Sequence, residues 1–127
     1  IANIDINALV KFHNSHNKII TISGVRLPSL FGEFEEKDGR VISFSEKPKS
    51  AKNYINGGFM VFNKGLLDYL TEDENCDFEF GALELLAKKG EVMVYKHEGF
   101  WECMDHERDA KHLNDLWTKN KADWKVW

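Results

Sequence analysis

A run of β-branched and small residues, Ile19 to Val25, constrains the fold of this chain more than any other segment. It is mostly apolar, which predicts a buried strand. An amphipathic helix is predicted just before it, because Asp5 can act as an N-cap and apolar positions then recur with helical spacing. Those positions are Ile6, Leu9, Val10 and His13. A helix followed by a buried strand is typical of a sheet on which helices pack.

The rest of the chain alternates between strand and helix patterns. Asp38-Gly39 lies between two alternating runs, which is a strong signal for a β-hairpin. The predicted strands are Phe31 to Glu35, Val41 to Ser45, Ile55 to Phe62, Glu91 to Lys96 and Phe100 to Met104. The predicted helices lie around Leu66, Leu67 and Leu70, over Ala82 to Ala87 with a stop at Gly90, and along Ala110, Leu113, Leu116 and Trp117. This order predicts one α/β or α+β domain over residues 1–127, without repeats or linkers.

Composition excludes several classes of protein. The 127 residues carry a net charge of -4 and a sequence pI of about 5.7, which disfavours a dominant surface for nucleic acid or anionic membrane. No window approaches the roughly 18 apolar residues of a transmembrane helix. Cys76 and Cys103 are too few for a disulfide framework or a four-cysteine zinc site, and a cytoplasmic location is expected. The start at Ile1, without a signal peptide, predicts a piece of a longer chain.

The first segment that can carry chemistry comprises the two ends of the predicted hairpin. Glu46 can accept hydrogen bonds from sugar hydroxyls, and Lys47 can place a positive charge on a phosphate. Gly32 would allow a ligand to approach the backbone closely. The alternative is a hairpin that ends in a solvated, charged turn.

The second segment is a strand interrupted by glycine, with Asn56, Gly57 and Gly58 in succession. Two consecutive glycines weaken a strand. One explanation is that the backbone lies against a ligand, which the polar side chain of Asn56 would recognise. A β-bulge is the other explanation, and the sequence favours neither.

The third segment contains Asp105, which lies between the predicted strand Phe100 to Met104 and the last helix. A carboxylate at the end of a strand is well placed to bind Mg²⁺ beside substrate phosphates. The alternative is an ordinary helix N-cap. Arg108 stands three residues further on, where a capping box needs Glu or Gln, so no capping box is expected.

Three side chains near the end of the chain are expected to be packed. Cys103 lies within a predicted strand and should be a small buried hydrophobe. Trp124 and Trp127 should dock, either on this domain or on a neighbour, because two tryptophans are unusual in a frayed tail.

Together these segments resemble one enzyme family. The stretches that carry the resemblance are Asn3-Ile4-Asp5-Ile6-Asn7, Phe31-Gly32-Glu33, Phe44-Ser45-Glu46-Lys47-Pro48, Ile55-Asn56-Gly57-Gly58-Phe59, Trp101-Glu102-Cys103-Met104-Asp105 and Trp124-Lys125-Val126-Trp127. They resemble the C-terminal half of the glucose-1-phosphate cytidylyltransferases, a branch of the sugar nucleotidyltransferases, over nearly the whole chain. The resemblance implies an α/β fold, namely the C-terminal, sugar-binding half of a Rossmann-like nucleotidyltransferase, with a mixed sheet and flanking helices.

The resemblance also implies a reaction and roles for single residues. The family joins CTP and α-D-glucose 1-phosphate into CDP-glucose and pyrophosphate, and the product serves surface polysaccharides such as the O-antigen of lipopolysaccharide. Asp105 matches a catalytic aspartate that binds Mg²⁺, and Lys47 matches a catalytic lysine that contacts phosphate. Glu46 matches a glucose-binding acid. Gly32, Asn56 and Gly57 match positions that line the sugar pocket.

Two departures from the family pattern add further expectations. The family's N-terminal half, with its Gly-rich nucleotide loop and a second metal-binding aspartate, is missing. The chain alone is therefore expected to be catalytically inactive and to form a homo-oligomer through its uncovered sheet edge. Residues 78–84 replace a more charged stretch, which predicts a changed helix start. The alternative function is a non-catalytic sugar-phosphate-binding or oligomerisation module, which would not need a metal carboxylate at Asp105.

Overall fold

The computed structural model describes residues 1–27, 32–46 and 53–127. Its α-helices are α1 (Ile6–Asn14), α2 (Glu84–Lys88) and α3 (Glu107–Thr118). Its strands are β1 (Ile20–Val25), β2 (Glu33–Lys37), β3 (Arg40–Ser45), β4 (Ile55–Phe62) and β5 (Val92–Lys96). A 3₁₀-helix (Lys64–Tyr69) follows β4, and a π-helical stretch (Phe78–Leu83) leads into α2.

The strand predicted from the β-branched run, β1, lies at the centre of a three-stranded sheet with the order β4-β1-β5. β4 runs antiparallel to β1, and β5 runs parallel to it. Every residue of β1 is buried except Ile22, which is half-buried. The predicted buried strand and the predicted mixed sheet are both confirmed.

Successive side chains of β1 point to opposite faces of the sheet. Ile20 packs on one face, in a buried cluster with Leu66, Ala82 and Leu86. Thr21 points to the other face, where its Oγ1 lies 2.9 Å from Nδ1 of His13 in α1. The short helices after β4 therefore cover one face, and α1 covers the other, as the apolar character of β1 requires.

The predicted hairpin is confirmed as a separate pair of strands, β2 and β3. Asp38 and Gly39 at its turn have φ angles of 52° and 78°. Two successive positive φ angles are typical of the type I′ turn that Asp-Gly favours. Phe34 and Phe44 are 61% and 63% exposed, so the hairpin extends into solvent.

The helix predicted to stop at Gly90 does stop there, because Gly90 adopts a φ of 71° that suits glycine after a helix. Its start is irregular. Oδ1 of Asp77 accepts the backbone N–H groups of Glu79 at 2.8 Å and Phe80 at 2.9 Å, which caps a π-helical stretch before α2 begins.

The strand predicted over Phe100 to Met104 is wrong. Within the described part of the chain, this segment forms a single bridge, between Trp101 and Ala2. Backbone hydrogen bonds join Phe100 to Asn3 and Glu102 to Ile1, and the pairing ends there, so the segment does not continue as a strand to Met104. Cys103 is consequently exposed, and its predicted burial is wrong.

The two tryptophans at the end of the chain differ in their surroundings. Trp124 is half-buried, and its ring centroid lies 5.2 Å from that of Phe100, so its predicted docking is confirmed and the partner is this domain. Trp127 is 80% exposed. Trp117, expected in the inner stripe of α3, is 47% exposed, whereas Leu113 is buried. None of the described helices is long and apolar enough to span a bilayer.

Candidate functional site

The carboxyl ends of the parallel strands β1 and β5 lie at the same edge of the sheet, here called the carboxyl edge. The antiparallel strand β4 begins at this edge, since Val25 pairs with Ile55 while Gly24 pairs with Lys96. Ligands of open α/β sheets bind at such an edge, because the loops that follow the parallel strands meet there. The carboxyl edge is therefore the first place to look for a site.

Four side chains from the three strand ends form a group at this edge, here called the strand-end cluster: Arg26, Tyr54, Lys96 and Glu98. Nη2 of Arg26 donates to Oε1 of Glu98 at 2.8 Å, and the hydroxyl of Tyr54 donates to the same oxygen. Cζ of Arg26 lies 4.7 Å from the centroid of the Tyr54 ring, and Nζ of Lys96 lies 5.3 Å from it. The cluster thus joins β1, β4 and β5 through their side chains.

These contacts shift three pKa values. The hydrogen bond from Tyr54, followed by the one from Arg26, lowers the pKa of the Glu98 carboxyl. The hydrogen bond to Glu98 raises the pKa of Tyr54, and Glu98 also raises the pKa of Arg26. At neutral pH, Glu98 is therefore charged and Tyr54 keeps the proton that it donates.

Gly57 and Gly58 lie in a β-bulge, where the register between β4 and β1 slips. A Cβ atom at Gly57 would lie 2.8 Å from Oγ of Ser23. That hydroxyl accepts the backbone N–H of Phe59 at 3.1 Å, so it is held in place. Of the two explanations for the paired glycines, the bulge is confirmed, and contact of this strand with a ligand stays a prediction.

Trp101 connects this bulge to the segment that leads to Asp105. Its Nε1 donates to the carbonyl oxygen of Gly57 at 2.8 Å. Asn56, one residue earlier, is exposed, and its Oδ1 accepts the backbone N–H of Gly58 at 2.9 Å. The structure therefore brings the second and third candidate segments together.

Asp105 is exposed and is not the N-cap of α3. The cap is His106, and Oδ2 of Asp109 accepts the backbone N–H groups of His106 at 3.1 Å and of Asp105 at 3.3 Å. A capping box does form, contrary to the sequence prediction, because the cap stands one residue later. Desolvation raises the pKa of Asp109, but the hydrogen bonds from His106 and Asp105 together outweigh it and lower the pKa. The carboxylate of Asp105 thus has no part in capping.

A cavity of about 300 Å³ opens beside the start of α3. Its lining residues are Leu27, Glu102, Cys103, Arg108, Asp109 and His112. Oε2 of Glu102 lies 3.5 Å from Nε2 of His112. Leu27 follows β1, so the cavity adjoins the carboxyl edge. The sequence did not identify Arg108 and His112 as site residues.

Gly32 and Glu46, at the two ends of the hairpin, lie together. A Cβ atom at Gly32 would be 3.0 Å from Oε2 of Glu46 and 2.6 Å from Cζ of Phe44. Any larger residue at position 32 would displace these side chains, which explains the glycine. Lys47 lies outside the described residues.

Magnesium, which the family resemblance implies, would find one ligand here. Among residues 1–27, 32–46 and 53–127, no three His, Cys, Asp or Glu side chains are grouped to hold a metal ion. Asp105 offers one exposed carboxylate. Protein sites for Mg²⁺ often use only one or two carboxylates and complete the shell with substrate phosphates and water. Asp105 is therefore suited to supply one carboxylate ligand to such an ion.

The sequence prediction missed the strand-end cluster. Arg26, Tyr54, Lys96 and Glu98 each stand within two positions of a predicted strand end. Their common location at strand ends is the signal that could have identified these four residues, once β1 and β5 were known to be parallel.

Comparison with known proteins gives consistent matches. A family model described as nucleotidyl transferase matches residues 1–123. Over all 127 residues, the chain is 42% identical to a glucose-1-phosphate cytidylyltransferase of Salmonella typhimurium and 39% identical to a probable glucose-1-phosphate cytidylyltransferase of Bacillus subtilis. Over 94% of its length it is 32% identical to a glucose-1-phosphate adenylyltransferase of Desulforamulus reducens, of which the match covers 32%.

A solved structure shares the fold. It is a crystal structure of a Bacillus anthracis protein assigned as a glucose-1-phosphate thymidylyltransferase, in complex with sucrose. The TM-score is 0.60, with 97% of this chain and 51% of that chain covered. The sequence identity is 19%, so this likeness concerns the fold alone.

The chain spans about half the length of the two cytidylyltransferases, 49% and 50%. The matches place it on the N-terminal side of the relatives' sequences, so the expected assignment to their C-terminal half is wrong. Short motifs such as Ser-Glu-Lys-Pro identify a family, but they do not fix the position of a segment within a longer relative.

Proposed function

Because this chain belongs to the nucleotidyl transferase family, we propose that it supplies the sugar-phosphate-binding part of a glucose-1-phosphate cytidylyltransferase. Such an enzyme joins CTP and α-D-glucose 1-phosphate into CDP-glucose and pyrophosphate. The identity of 42% over the whole chain to a protein of that name supports the choice of reaction.

One observation carries the assignment of the site. Nε1 of Trp101 donates to the carbonyl oxygen of Gly57 at 2.8 Å, beside the carboxyl edge. This contact joins the Asn-Gly-Gly strand to the segment that ends at Asp105, although the two are 44 residues apart in the chain. This contact between two candidate segments supports a shared site at the carboxyl edge.

The proposed roles are those that the family resemblance implies, and the chemistry of each residue is compatible with its role. Glu46, held over Gly32, accepts hydrogen bonds from sugar hydroxyls. Asn56 and Gly57 line the sugar pocket, and Lys47 contacts phosphate. Asp105 would supply one ligand to Mg²⁺, which when bound would neutralise charge on the phosphates.

The proposed reaction is an in-line displacement. An oxygen of the sugar phosphate attacks the α-phosphorus of CTP, a new phosphorus–oxygen bond forms, and pyrophosphate leaves with the electron pair of the broken bond. The residues of this chain contribute orientation of the sugar phosphate and compensation of its charge, without a covalent intermediate.

Titration calorimetry of this chain with glucose 1-phosphate tests the proposal. Glu46→Gln should weaken binding about tenfold, because hydrogen bonds to a charged acceptor are lost. Glu74→Gln, which changes an exposed loop glutamate, is the matched control and should bind like the parent. Failure of the parent to bind, or equal affinities of the parent and both variants, would contradict the proposal.

A further inference from the structure

Trp101 and its chain neighbour Phe100 are held by two other segments of the chain. The backbone N–H of Asn3 donates to the carbonyl oxygen of Phe100 at 3.1 Å, and Nδ2 of Asn3 donates to the carbonyl oxygen of Asp123 at 3.3 Å. A Cβ atom at Gly99 would collide with Oδ1 of Asn3, so the turn before Phe100 packs closely against this side chain. Asn3 therefore joins Phe100 to the segment that follows α3.

Trp124, from the segment that follows α3, packs on the ring of Phe100. The two ring centroids lie 5.2 Å apart with the planes inclined by 39°, which is a favourable arrangement for an aromatic pair. The segment is itself tied to α3, because the backbone N–H of Lys121 donates to the carbonyl oxygen of Leu116 at 2.8 Å. The chain thus leaves Phe100, runs through α3 and returns to Phe100 at Trp124.

The residue next to Phe100 makes the contact that carries the proposed site, since Nε1 of Trp101 donates to the carbonyl oxygen of Gly57 at 2.8 Å. Building on the proposed function, we propose that Trp124 is a positioning residue for sugar-phosphate binding. Its ring holds Phe100 and thereby keeps the indole of Trp101 on Gly57. Loss of the Trp124 ring removes this aromatic packing and lets the Trp101 indole leave the carbonyl oxygen more often.

Hydrogen exchange followed by nuclear magnetic resonance tests whether Trp124 holds Trp101. Each tryptophan of an isotope-labelled chain gives its own indole N–H signal, and the signal that disappears in Trp101→Phe is that of Trp101. In the parent, the hydrogen bond to Gly57 should make this N–H exchange slowly with solvent. Trp124→Leu should speed its exchange about tenfold, because the hydrogen bond opens more often.

Two further variants and an internal reference separate this local effect from a general loss of stability. The matched control is Trp127→Leu, which should leave the exchange of Trp101 unchanged because Trp127 is 80% exposed. Trp124→Phe should restore slow exchange, because a phenyl ring still packs on Phe100. The reference is the backbone N–H of Ile20 in the central strand β1, which donates to the carbonyl oxygen of Glu91 at 3.1 Å and should exchange at the parent's rate in every variant.

Unchanged exchange of the Trp101 indole in Trp124→Leu would overturn the inference. The same acceleration in Trp127→Leu, or at the backbone N–H of Ile20, would also overturn it, because the effect would then not belong to the contact between Trp124 and Phe100.

The same variants are then titrated with glucose 1-phosphate to test the link to binding. Trp124→Leu should bind about tenfold more weakly, Trp124→Phe should recover, and Trp127→Leu should bind like the parent. Unchanged affinity in Trp124→Leu, despite faster exchange at Trp101, would overturn the role in binding. A parent that binds no glucose 1-phosphate would contradict the proposed function, while the exchange rates would still decide whether Trp124 holds Trp101.

Discussion

At the scale of single residues, the proposed function assigns Asp105 to turnover rather than to sugar binding. If Asp105 binds Mg²⁺ as proposed, Asp105→Asn in the full-length protein should lower kcat for the proposed CDP-glucose formation by about 100-fold or more, because a charged metal ligand would be lost. The affinity for glucose 1-phosphate should change much less. Initial rates and calorimetry measure the two effects.

The matched control for this variant is Asp115→Asn, since Asp115 is exposed on α3. It should behave like the parent in both measurements. A small and equal effect of Asp105→Asn on turnover and on sugar affinity would exclude Asp105 as the metal ligand.

His13 forms a second residue-scale feature, on the opposite side of β1 from the main core. It is 7% exposed, and Oγ1 of Thr21 lies 2.9 Å from its Nδ1 and 2.8 Å from Nε2 of His16. Burial, followed by the proximity of His16, lowers the pKa of His13 below its ordinary value of 6.5. Protonation of His13 would place a charge in a buried site, next to a second imidazole.

The lowered pKa predicts loss of stability in mild acid. Below pH 6.5 the unfolded chain binds a proton at position 13 more readily than the folded chain, so the free energy of unfolding falls as the pH drops from 6.5 toward the folded pKa. Above that window the contribution is constant. Urea unfolding at pH 8 and at pH 5.5 should show the loss in the parent and in the control His112→Gln, but less of it in His13→Gln. An equal loss in all three proteins would rule out His13 as the source.

Residue types could be predicted from the sequence, but their neighbours could not. Asp5 was identified as an N-cap, and its Oδ1 accepts the N–H of Ala8 at 3.0 Å, because that contact is local. The alternative reading of Asp105 as the cap of α3 is wrong by one residue, since the exact start of a helix depends on the chain that precedes it.

At the scale of secondary-structure elements, the bulge in β4 predicts a contrast between two glycines. Gly57→Ala should lower the free energy of unfolding by about 1–3 kcal/mol, because the new Cβ would lie 2.8 Å from Oγ of Ser23 and 2.9 Å from Cγ1 of Val25. Gly81→Ala should be neutral or stabilising by up to about 1 kcal/mol, because nothing lies within 4 Å of its Cβ position. Urea unfolding compares the two. Equal effects would show that the bulge relaxes around the methyl group.

The elements differ in how far local sequence determines them. The Asp38-Gly39 turn was predictable, because two residues with positive φ define it. The false strand over Phe100 to Met104 shows the opposite case, since a strand requires a partner that alternation alone cannot supply. The strand-end cluster was out of reach for the same reason: Arg26 and Glu98 are 72 residues apart and meet only through the register of β1 and β5.

At the scale of the whole molecule, an apolar surface beside β4 predicts self-association. A groove of about 480 Å³ is lined mainly by Phe62, Leu66, Leu67, Leu70 and Phe78, and Leu67 is 64% exposed. Exposed apolar patches favour contact with another copy of the chain. Sedimentation at high micromolar concentration should show association in the parent, and Leu67→Glu should reduce it.

The matched control is Ile42→Glu on the hairpin, where Ile42 is 61% exposed. It should associate like the parent. A parent that sediments as a monomer would contradict the prediction, and an equal effect of both variants would show that the groove is not the contact.

The family was predictable at this scale, whereas the place of the chain within its relatives was not. The strand and helix patterns of the sequence predict the mixed sheet, and the nucleotidyl transferase model matches residues 1–123. Within the described sheet, β4 and β5 each have one neighbour, so both present unpaired backbone groups. Such edges indicate where further structure can attach, but they do not indicate its order in sequence.

The hydrogen bond between Trp101 and Gly57 gives this chain an intrinsic optical probe. Indole emission shifts in wavelength with the polarity around the ring and with the hydrogen bond at its nitrogen. Trp101 is half-buried beside the carboxyl edge, whereas Trp117 and Trp127 are 47% and 80% exposed and open to an aqueous quencher such as iodide. Trp124 is also half-buried, so it is replaced by phenylalanine. With Trp117 and Trp127 quenched, a shift in the emission wavelength of Trp101 would then report the arrival of a sugar phosphate without any attached dye.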